Sequence, residues 1–125
     1  MDLYQEQLID LAKNPLNRRE ISGATHTQSG VNVMCGDHVR MYLKIEGVGN
    51  AAIIRDSSWQ GEGCAISVAA ASLLTDQLNG MSVRQAVALQ NETMFEWLGV
   101  PALGPARVKC AVLCLETMQQ ALEFP

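Results

Sequence analysis

Apolar residues at helical spacing open the chain and stop at a proline. These residues are Tyr4, Leu8, Ile9, Leu11 and Ala12. Asp2 is placed to cap the first turn, and Pro15 disfavours helix in Asn14, the residue before it. The pattern predicts a short amino-terminal helix. The polar stretch from Asn17 to Gly30 shows no sustained period and is interpreted as a loop.

Alternation of apolar with polar or small residues follows this stretch and predicts strands. The apolar members of the alternating pattern are Val31, Val33, Val39, Met41, Leu43 and Ile45. Gly47-Val48-Gly49-Asn50 has the composition of a turn, and residues 51–59 continue the pattern with Ile53 and Ile54. We expect two or three antiparallel strands that form a sheet with one covered face.

The spacing of apolar residues changes from that of a strand to that of a helix at Gly61-Glu62-Gly63-Cys64. An apolar stripe then predicts a helix that starts near Cys64 and is terminated by Gly80. The stripe consists of Ile66, Ala69, Ala70, Leu73, Leu74 and Leu78.

Further helices are predicted towards the end of the chain. Ser82 and Gln85 match a capping box for a helix over residues 83–89. Residues 95–98 either extend this helix or form another turn. Residues 101–105 form a connector, and Pro105 suits the first position of a last helix. Strands followed by helices imply an α+β fold, with a three-stranded antiparallel sheet packed against several helices.

Composition narrows the class of protein. A chain of 125 residues, 48% of them hydrophobic, suffices for one core, so residues 1–125 are predicted to form a single domain. The net charge of −4, with no block of like charges, argues against nucleic acid as a partner. The start of the chain lacks the character of a secretory signal, and no apolar run reaches the roughly 20 residues of a membrane span. We expect a cytoplasmic protein with no membrane partner.

Four cysteines are the first indication of chemistry: Cys35, Cys64, Cys110 and Cys114. Thiols stay reduced in the cytosol, so free, metal-bound or redox-active thiols are favoured over structural disulfides. Cysteine also packs as a small hydrophobic residue, so the neighbours of each thiol decide its interpretation.

Two of these cysteines, Cys35 and Cys64, lie at positions that allow both a chemical and a structural interpretation. Cys35 and Asp37 are two residues apart between strand-like runs, which places them on the same side of an extended chain, where both could address one metal ion. A turn closed by Asp37 explains the same tripeptide. Cys64 lies at a predicted helix start, where free N–H groups favour a thiolate. Its alternative role is to fill a small gap.

The last helix carries the other two cysteines. Cys110 follows Arg107 and Lys109, whose charges could lower its pKa or hold an anionic partner. Cys114 shares the face of Cys110, but its apolar neighbours favour core packing over a metal-binding pair.

Any metal site must be assembled by the fold, because the spacings of Cys35, Cys64 and Cys110 do not match compact zinc fingers. His26 and His38 are spare nitrogen ligands. Both are interpreted as solvated or hydrogen-bonded side chains.

Taken together, the motifs resemble the IscU/SufU family of iron–sulfur cluster assembly proteins, which includes the amino-terminal domain of NifU. They are Asn14-Pro15 with Asn17-Arg18, Cys35-Gly36-Asp37, the run from Gly61 to Ser67 and the run from Pro105 to Ala111. The resemblance covers most of the chain and implies that family's fold. It places the family's three cysteines on Cys35, Cys64 and Cys110, and its aspartate on Asp37.

The resemblance is closer to the SufU type at Lys109, where IscU-type scaffolds have a histidine. SufU-like proteins hold zinc with three cysteines and an aspartate, so the resemblance implies a zinc site of Cys35, Asp37, Cys64 and Cys110. Two spacings depart from the SufU pattern. The segment between Cys64 and Cys110 lacks the usual insertion, and the segment between Cys35 and Cys64 is a few residues longer.

The implied function is acceptance of persulfide sulfur from a cysteine desulfurase, a sulfurtransferase-like accessory role with Cys35 as the acceptor. An alternative is a scaffold that binds a transient [2Fe–2S] cluster and passes it to downstream scaffolds or apo-proteins. A third is a structural zinc adaptor without thiol chemistry. Zinc and the cluster suit the same ligands, so these alternatives stay open.

Overall fold

The computed structural model describes residues 3–100 and 103–123 and has the predicted α+β architecture. Three antiparallel strands, β1 (His26–Asn32), β2 (Asp37–Glu46) and β3 (Ile53–Glu62), form a sheet in the order β1-β2-β3. A short 3₁₀ helix precedes β3. The α-helices are α1 (Leu3–Lys13), α2 (Ala65–Leu78), α3 (Val83–Val87), α4 (Asn91–Leu98) and α5 (Pro105–Glu123). Asp2, the predicted cap of α1, lies outside the described residues.

The loop predicted over Asn17–Gly30 is wrong from His26 onward, where β1 begins. This strand is mostly polar, and its partly buried and exposed positions alternate while its backbone pairs with β2. At Gly30 a Cβ atom would clash with the hydroxyl of Thr117, so β1 approaches α5 closely through a residue without a side chain. A strand of this kind presents no apolar alternation to detect.

The two valines that suggested the first strand are not on a covered face. Val31 is exposed near the end of β1, and Val33 lies in the turn after it, with 84% of its surface exposed. The prediction of a covered face is confirmed for β2, where Val39, Met41 and Leu43 are buried.

The core lies between the sheet and the helices α2 and α5, which pack against it and against each other. Three consecutive alanines of α2, residues 69–71, are buried and allow close approach of neighbouring elements. Leu74, Leu78 and Met118 fill the space between layers and are fully buried.

The predicted helix ends are largely confirmed. The chain leaves α2 after Leu78, and Gly80 follows in a left-handed conformation with φ of +88°. Ser82 and Gln85 form the predicted capping box of α3. Residues 91–98 form a separate helix, α4, and Pro105 begins α5. Residues 101 and 102 of the predicted connector lie outside the described residues. In the part of the chain that the structure covers, no helix has the length and apolar character needed to cross a membrane.

The segment after α1 secures the edge of β3. Trp59 donates its indole N–H to the carbonyl of Leu16 at 2.8 Å and its backbone N–H to the carbonyl of Asn17 at 3.0 Å. The guanidinium of Arg18 lies over the same indole, 5.3 Å from the ring centroid. Arg18 also donates to the carbonyl of Gly61 at 2.6 Å. These contacts fix the end of β3 that leads into Cys64.

Candidate metal centre

The turn between β1 and β2 presents Cys35 to solvent. Asn32 and Asp37 form the last residue pair of the hairpin, and the backbone N–H of Cys35 donates to the carbonyl of Asn32 at 3.2 Å. Gly36 has a φ of +71°, a conformation that glycine adopts without strain. Cys35 is therefore held on an exposed turn beside the first residue of β2.

Asp37 is buried at the start of β2, with only 2% of its surface exposed. Its Oδ1 accepts the backbone N–H of Cys64 at 3.1 Å, and its Oδ2 accepts the hydroxyl of Ser67 at 2.7 Å. Burial acts to raise the pKa of this carboxyl, but hydrogen bonds from Cys110, Ser67 and Cys64 outweigh it, so the pKa lies below its usual value. The carboxylate form is thus favoured inside the protein.

Cys64 is the N-cap residue of α2, as the sequence predicted, and its thiol is half-buried. Its Sγ lies 3.8 Å from the hydroxyl of Ser67. Burial acts to raise the pKa of the thiol, but hydrogen bonds with Ser67 and Cys110 bring it below the usual value. The environment therefore favours a thiolate at the helix start.

Cys110 lies on α5 with 1% of its surface exposed. Burial, together with the hydrogen bond to Asp37, raises the pKa of its thiol well above the usual value. The amide nitrogen of the buried Asn32 approaches its sulfur at 4.0 Å. The expectation that neighbouring basic residues could lower the pKa of Cys110 is wrong, because desolvation and the acidic neighbour dominate.

Arg107 lies near the centre and interacts more strongly with Cys64 than with Cys110. The negative charge and hydrogen bonding of Cys64, followed by the charge of Cys110, raise the pKa of this exposed guanidinium. Lys109 instead lines a surface groove with Val33 and Met34.

The fold brings together residues that are far apart in sequence. Ligand atoms of Cys35, Asp37 and Cys110 lie within 4.8 Å of one another, a group of two thiols and one carboxylate. Cys64 is not part of this group. It borders it through its hydrogen bonds to Asp37 and Cys110. Two thiols and a carboxylate, with a third thiol adjacent, form a donor set that zinc accepts.

The remaining candidates, Cys114, His26 and His38, do not belong to this group of ligand atoms. Cys114 is buried in the core, as predicted, and burial raises the pKa of its thiol to about 12. His26 contacts the hydroxyl of Thr25 at 2.9 Å, and His38 lies 4.0 Å from Glu62 at the surface.

Sequence reasoning missed two residues at the centre. Ser67 ends the motif that runs from Gly61 to Ser67, but the motif does not indicate a function for it. In the structure it contacts Asp37, Cys64 and the carbonyl of Cys110. At Gly63 a Cβ atom would lie 2.8 Å from Oδ1 of Asp37, so the absence of a side chain makes room for the carboxylate. The sequence signal for both residues is their position relative to Cys64 at the predicted helix start. Gly63 directly precedes this cysteine, and Ser67 follows it by about one helical turn.

Comparison with known proteins identifies the class of protein to which this fold belongs. The family model described as the NifU-like N terminal domain matches residues 3–124, and the chain belongs to this family. The structure resembles the crystal structure of a candidate iron–sulfur cluster assembly scaffold protein for the SUF system from Fervidobacterium islandicum AW-1. That comparison has a TM-score of 0.77 and 26% identity, and covers 94% of each chain.

Two curated relatives indicate the functions found in the family. The chain is 31% identical to the iron–sulfur cluster assembly scaffold protein IscU of Thermotoga maritima, over 97% of this chain and 93% of that protein. It is 27% identical to the zinc-dependent sulfurtransferase SufU of Bacillus subtilis, over 96% of this chain and 89% of that protein. Iron–sulfur cluster assembly is thus the work of the family to which this chain belongs.

Proposed function

We propose that this chain is a zinc-holding sulfur acceptor in iron–sulfur cluster assembly, in which Cys35 receives sulfur from a cysteine desulfurase. The observation that carries the proposal is that Cys35 is exposed on a turn, while its ligand atom lies within 4.8 Å of those of the buried Asp37 and Cys110. Such an arrangement suits transfer, because the attacking thiolate must reach the donor persulfide while the other ligands stay in place.

The proposed transfer is a thiol exchange at Cys35. Its thiolate attacks the outer sulfur of a persulfide on the desulfurase, and a new sulfur–sulfur bond forms. The sulfur–sulfur bond of the donor breaks, and the donor cysteine leaves as a thiolate that takes up a proton. The transferred sulfur keeps its oxidation state, so the step needs no external oxidant or reductant.

Zinc is the metal that we assign to the resting protein. Cys35, Asp37, Cys64 and Cys110 would hold it, and bound zinc would keep the thiols deprotonated near neutral pH. The similarity to SufU, named a zinc-dependent sulfurtransferase, supports this choice. Arg107, beside Cys64 and Cys110, supplies a positive charge that would partly balance the three thiolates.

Metal analysis and sulfur transfer test the proposal together. We expect about one zinc per chain as isolated, and transfer of labelled sulfur from a cysteine desulfurase of the same organism to the wild-type protein. Cys35→Ala abolishes the transfer. Cys114→Ala provides the matched control, because it also removes one thiol but from the core. Acceptance of sulfur by Cys35→Ala at the wild-type rate would contradict the assignment.

A scaffold for a transient [2Fe–2S] cluster is the second candidate. It is supported by the three thiols at one place and by the similarity to proteins named IscU scaffolds. Cys35, Cys64 and Cys110 would then ligate iron, with Asp37 as the fourth ligand, and an oxygen ligand would make the cluster labile. Anaerobic reconstitution followed by Mössbauer spectroscopy distinguishes the two candidates. A defined cluster stoichiometry under these conditions supports the scaffold, and the absence of a cluster counts against it.

A further inference from the structure

A single hydroxyl contacts three of the four proposed ligand residues. Oγ of Ser67, in the first turn of α2, donates to Oδ2 of Asp37 at 2.7 Å. It lies 3.8 Å from Sγ of Cys64 and 3.3 Å from the backbone carbonyl of Cys110. The three residues belong to β2, the N-cap of α2 and α5, so this hydroxyl lies where three elements meet.

The carboxylate of Asp37 is held from both sides. The hydroxyl of Ser67 binds Oδ2, and the backbone N–H of Cys64 binds Oδ1. Both donors belong to the start of α2, and the hydroxyl has only one proton to donate. With both oxygens bound and 98% of the residue's surface buried, rotation of the carboxylate about its Cβ–Cγ bond would break at least one hydrogen bond.

The chain before α2 is shaped around this contact. A Cβ atom at Gly63 would lie 2.8 Å from Oδ1 of Asp37 and 2.9 Å from Cβ of Ser67. Both distances are shorter than side chains normally allow, so the carboxylate and Ser67 occupy the space that a side chain at this position would need.

We propose that Ser67 is a positioning residue that sets the orientation of Asp37 as a metal ligand. This inference rests on the proposed metal centre. Groups that hydrogen-bond to a ligand fix its direction and limit the lone pairs it offers to the ion. We place Ser67 outside the ligand set, because zinc sites in proteins are usually built from cysteine, histidine and carboxylate ligands rather than neutral hydroxyls.

Cobalt substitution tests this role without an activity assay. Co²⁺ is titrated into the metal-free protein and then displaced by Zn²⁺, which gives both affinities and the visible absorption of the bound Co²⁺. We expect Ser67→Ala to weaken Zn²⁺ binding by about 10- to 100-fold, the usual effect of removing an outer-shell partner, and to change the Co²⁺ spectrum. Ser72→Ala is the matched control, because Ser72 is a buried serine of the same helix that accepts the backbone N–H of Leu16 at 3.1 Å. Its spectrum and affinity should equal those of the wild type.

A double-mutant cycle with Asp37→Ala separates positioning from a general loss of structure. If Ser67 acts through Asp37, adding Ser67→Ala to Asp37→Ala changes the affinity less than about twofold. An equal loss in both backgrounds, or a Ser67→Ala protein that binds like the wild type, overturns the role of Ser67 alone. A wild-type protein that binds neither ion overturns the metal centre itself, and this inference with it.

Discussion

Cys35 and Cys110 have ligand atoms within 4.8 Å of each other, although Cys35 is exposed and Cys110 is almost completely buried. Cys35 lies in the turn after β1, and Cys110 is a buried residue of α5. Because the two neighbouring thiols differ in their exposure to solvent, we expect them to differ in reactivity.

The first prediction is an order of alkylation in the metal-free protein. Near neutral pH, iodoacetamide should modify Cys35 and Cys64 before Cys110, because Cys35 is exposed and the pKa of Cys64 is lowered, whereas that of Cys110 is raised. The thiolate is the reactive form, so a lower pKa means that a larger fraction of the cysteine is present as thiolate at a given pH. Peptide mass spectrometry over time measures the order.

Cys114 is an internal control for this experiment. Its thiol is buried, with a pKa of about 12, so modification there reports unfolding rather than native reactivity. Modification of Cys110 ahead of Cys35 in a protein with intact Cys114 would contradict the prediction.

The site was predictable from the sequence where local chemistry dictates it. Gly61-Glu62-Gly63-Cys64 before an apolar helical stripe located Cys64 at the N-cap of α2, as the structure confirms. The ligand atoms of Cys35 and Asp37 do lie close together, and of the two interpretations of this tripeptide the turn is the correct one. Cys35 lies in a turn rather than a strand, and the left-handed Gly36 brings the chain round.

Other features depend on tertiary contacts that no local pattern carries. β1 is polar and packs through Gly30 against Thr117, so its apolar signal is absent. The contact of Ser67 with Asp37 joins residues 30 positions apart and exists only once β2 and α2 are placed. The family resemblance supplied the convergence of the cysteines, which spacing alone did not.

The second prediction concerns acid stability of the metal-free protein. The pKa of Asp37 is lowered in the folded state, since hydrogen bonds from Cys110, Ser67 and Cys64 outweigh the effect of burial. Its contribution to stability is therefore fully present above the unfolded-state pKa of about 3.9, and is lost as pH falls through the lower folded-state value. At pH values below about 4, we expect the free energy of unfolding to decrease with falling pH. This decrease should be less steep in Asp37→Asn.

Urea unfolding as a function of pH measures this difference. Asp37→Asn should also cost about 1–3 kcal/mol near neutral pH, because an amide cannot accept both hydrogen bonds. Asp76→Asn, which removes an exposed carboxylate of α2, controls for the change in net charge. Identical pH profiles for the wild type and Asp37→Asn would contradict the prediction.

The third prediction concerns the space at Gly63. Gly63→Ala places a methyl group 2.8 Å from Oδ1 of Asp37, so the carboxylate must move. We expect about 1–3 kcal/mol of destabilisation from overpacking. Zn²⁺ affinity should fall by about tenfold or more, as is usual when the support of a ligand is disturbed. Competition with a chromophoric chelator measures the affinity.

Gly104→Ala is the matched control for this substitution. Gly104 lies just before α5, and a Cβ atom there would meet nothing within 4 Å. Its stability and Zn²⁺ affinity should stay near those of the wild type. Equal affinities for Gly63→Ala and Gly104→Ala would show that the position of Asp37 does not govern metal binding.

The fourth prediction is that the fold survives removal of the metal. The core cluster of the described residues joins α1, α2, α4, α5 and the sheet through apolar side chains, and none of the four proposed ligands belongs to it. A chelator should therefore leave the far-ultraviolet circular dichroism and the cooperative unfolding transition intact. It should lower the melting temperature, because metal that binds only the folded state adds about 4 kcal/mol at a free concentration 1,000 times its Kd.

This outcome also separates a reactive centre from a structural zinc adaptor. If zinc held the fold together, chelation would abolish secondary structure, as it does where metal ligation replaces a hydrophobic core. In a protein whose core is independent of the metal, Cys35 can leave the ligand set for sulfur transfer without unfolding the chain. Asp37→Ala provides the control, since its melting temperature should respond less to added Zn²⁺ than that of the wild type. Loss of secondary structure on chelation would contradict the prediction and favour the adaptor.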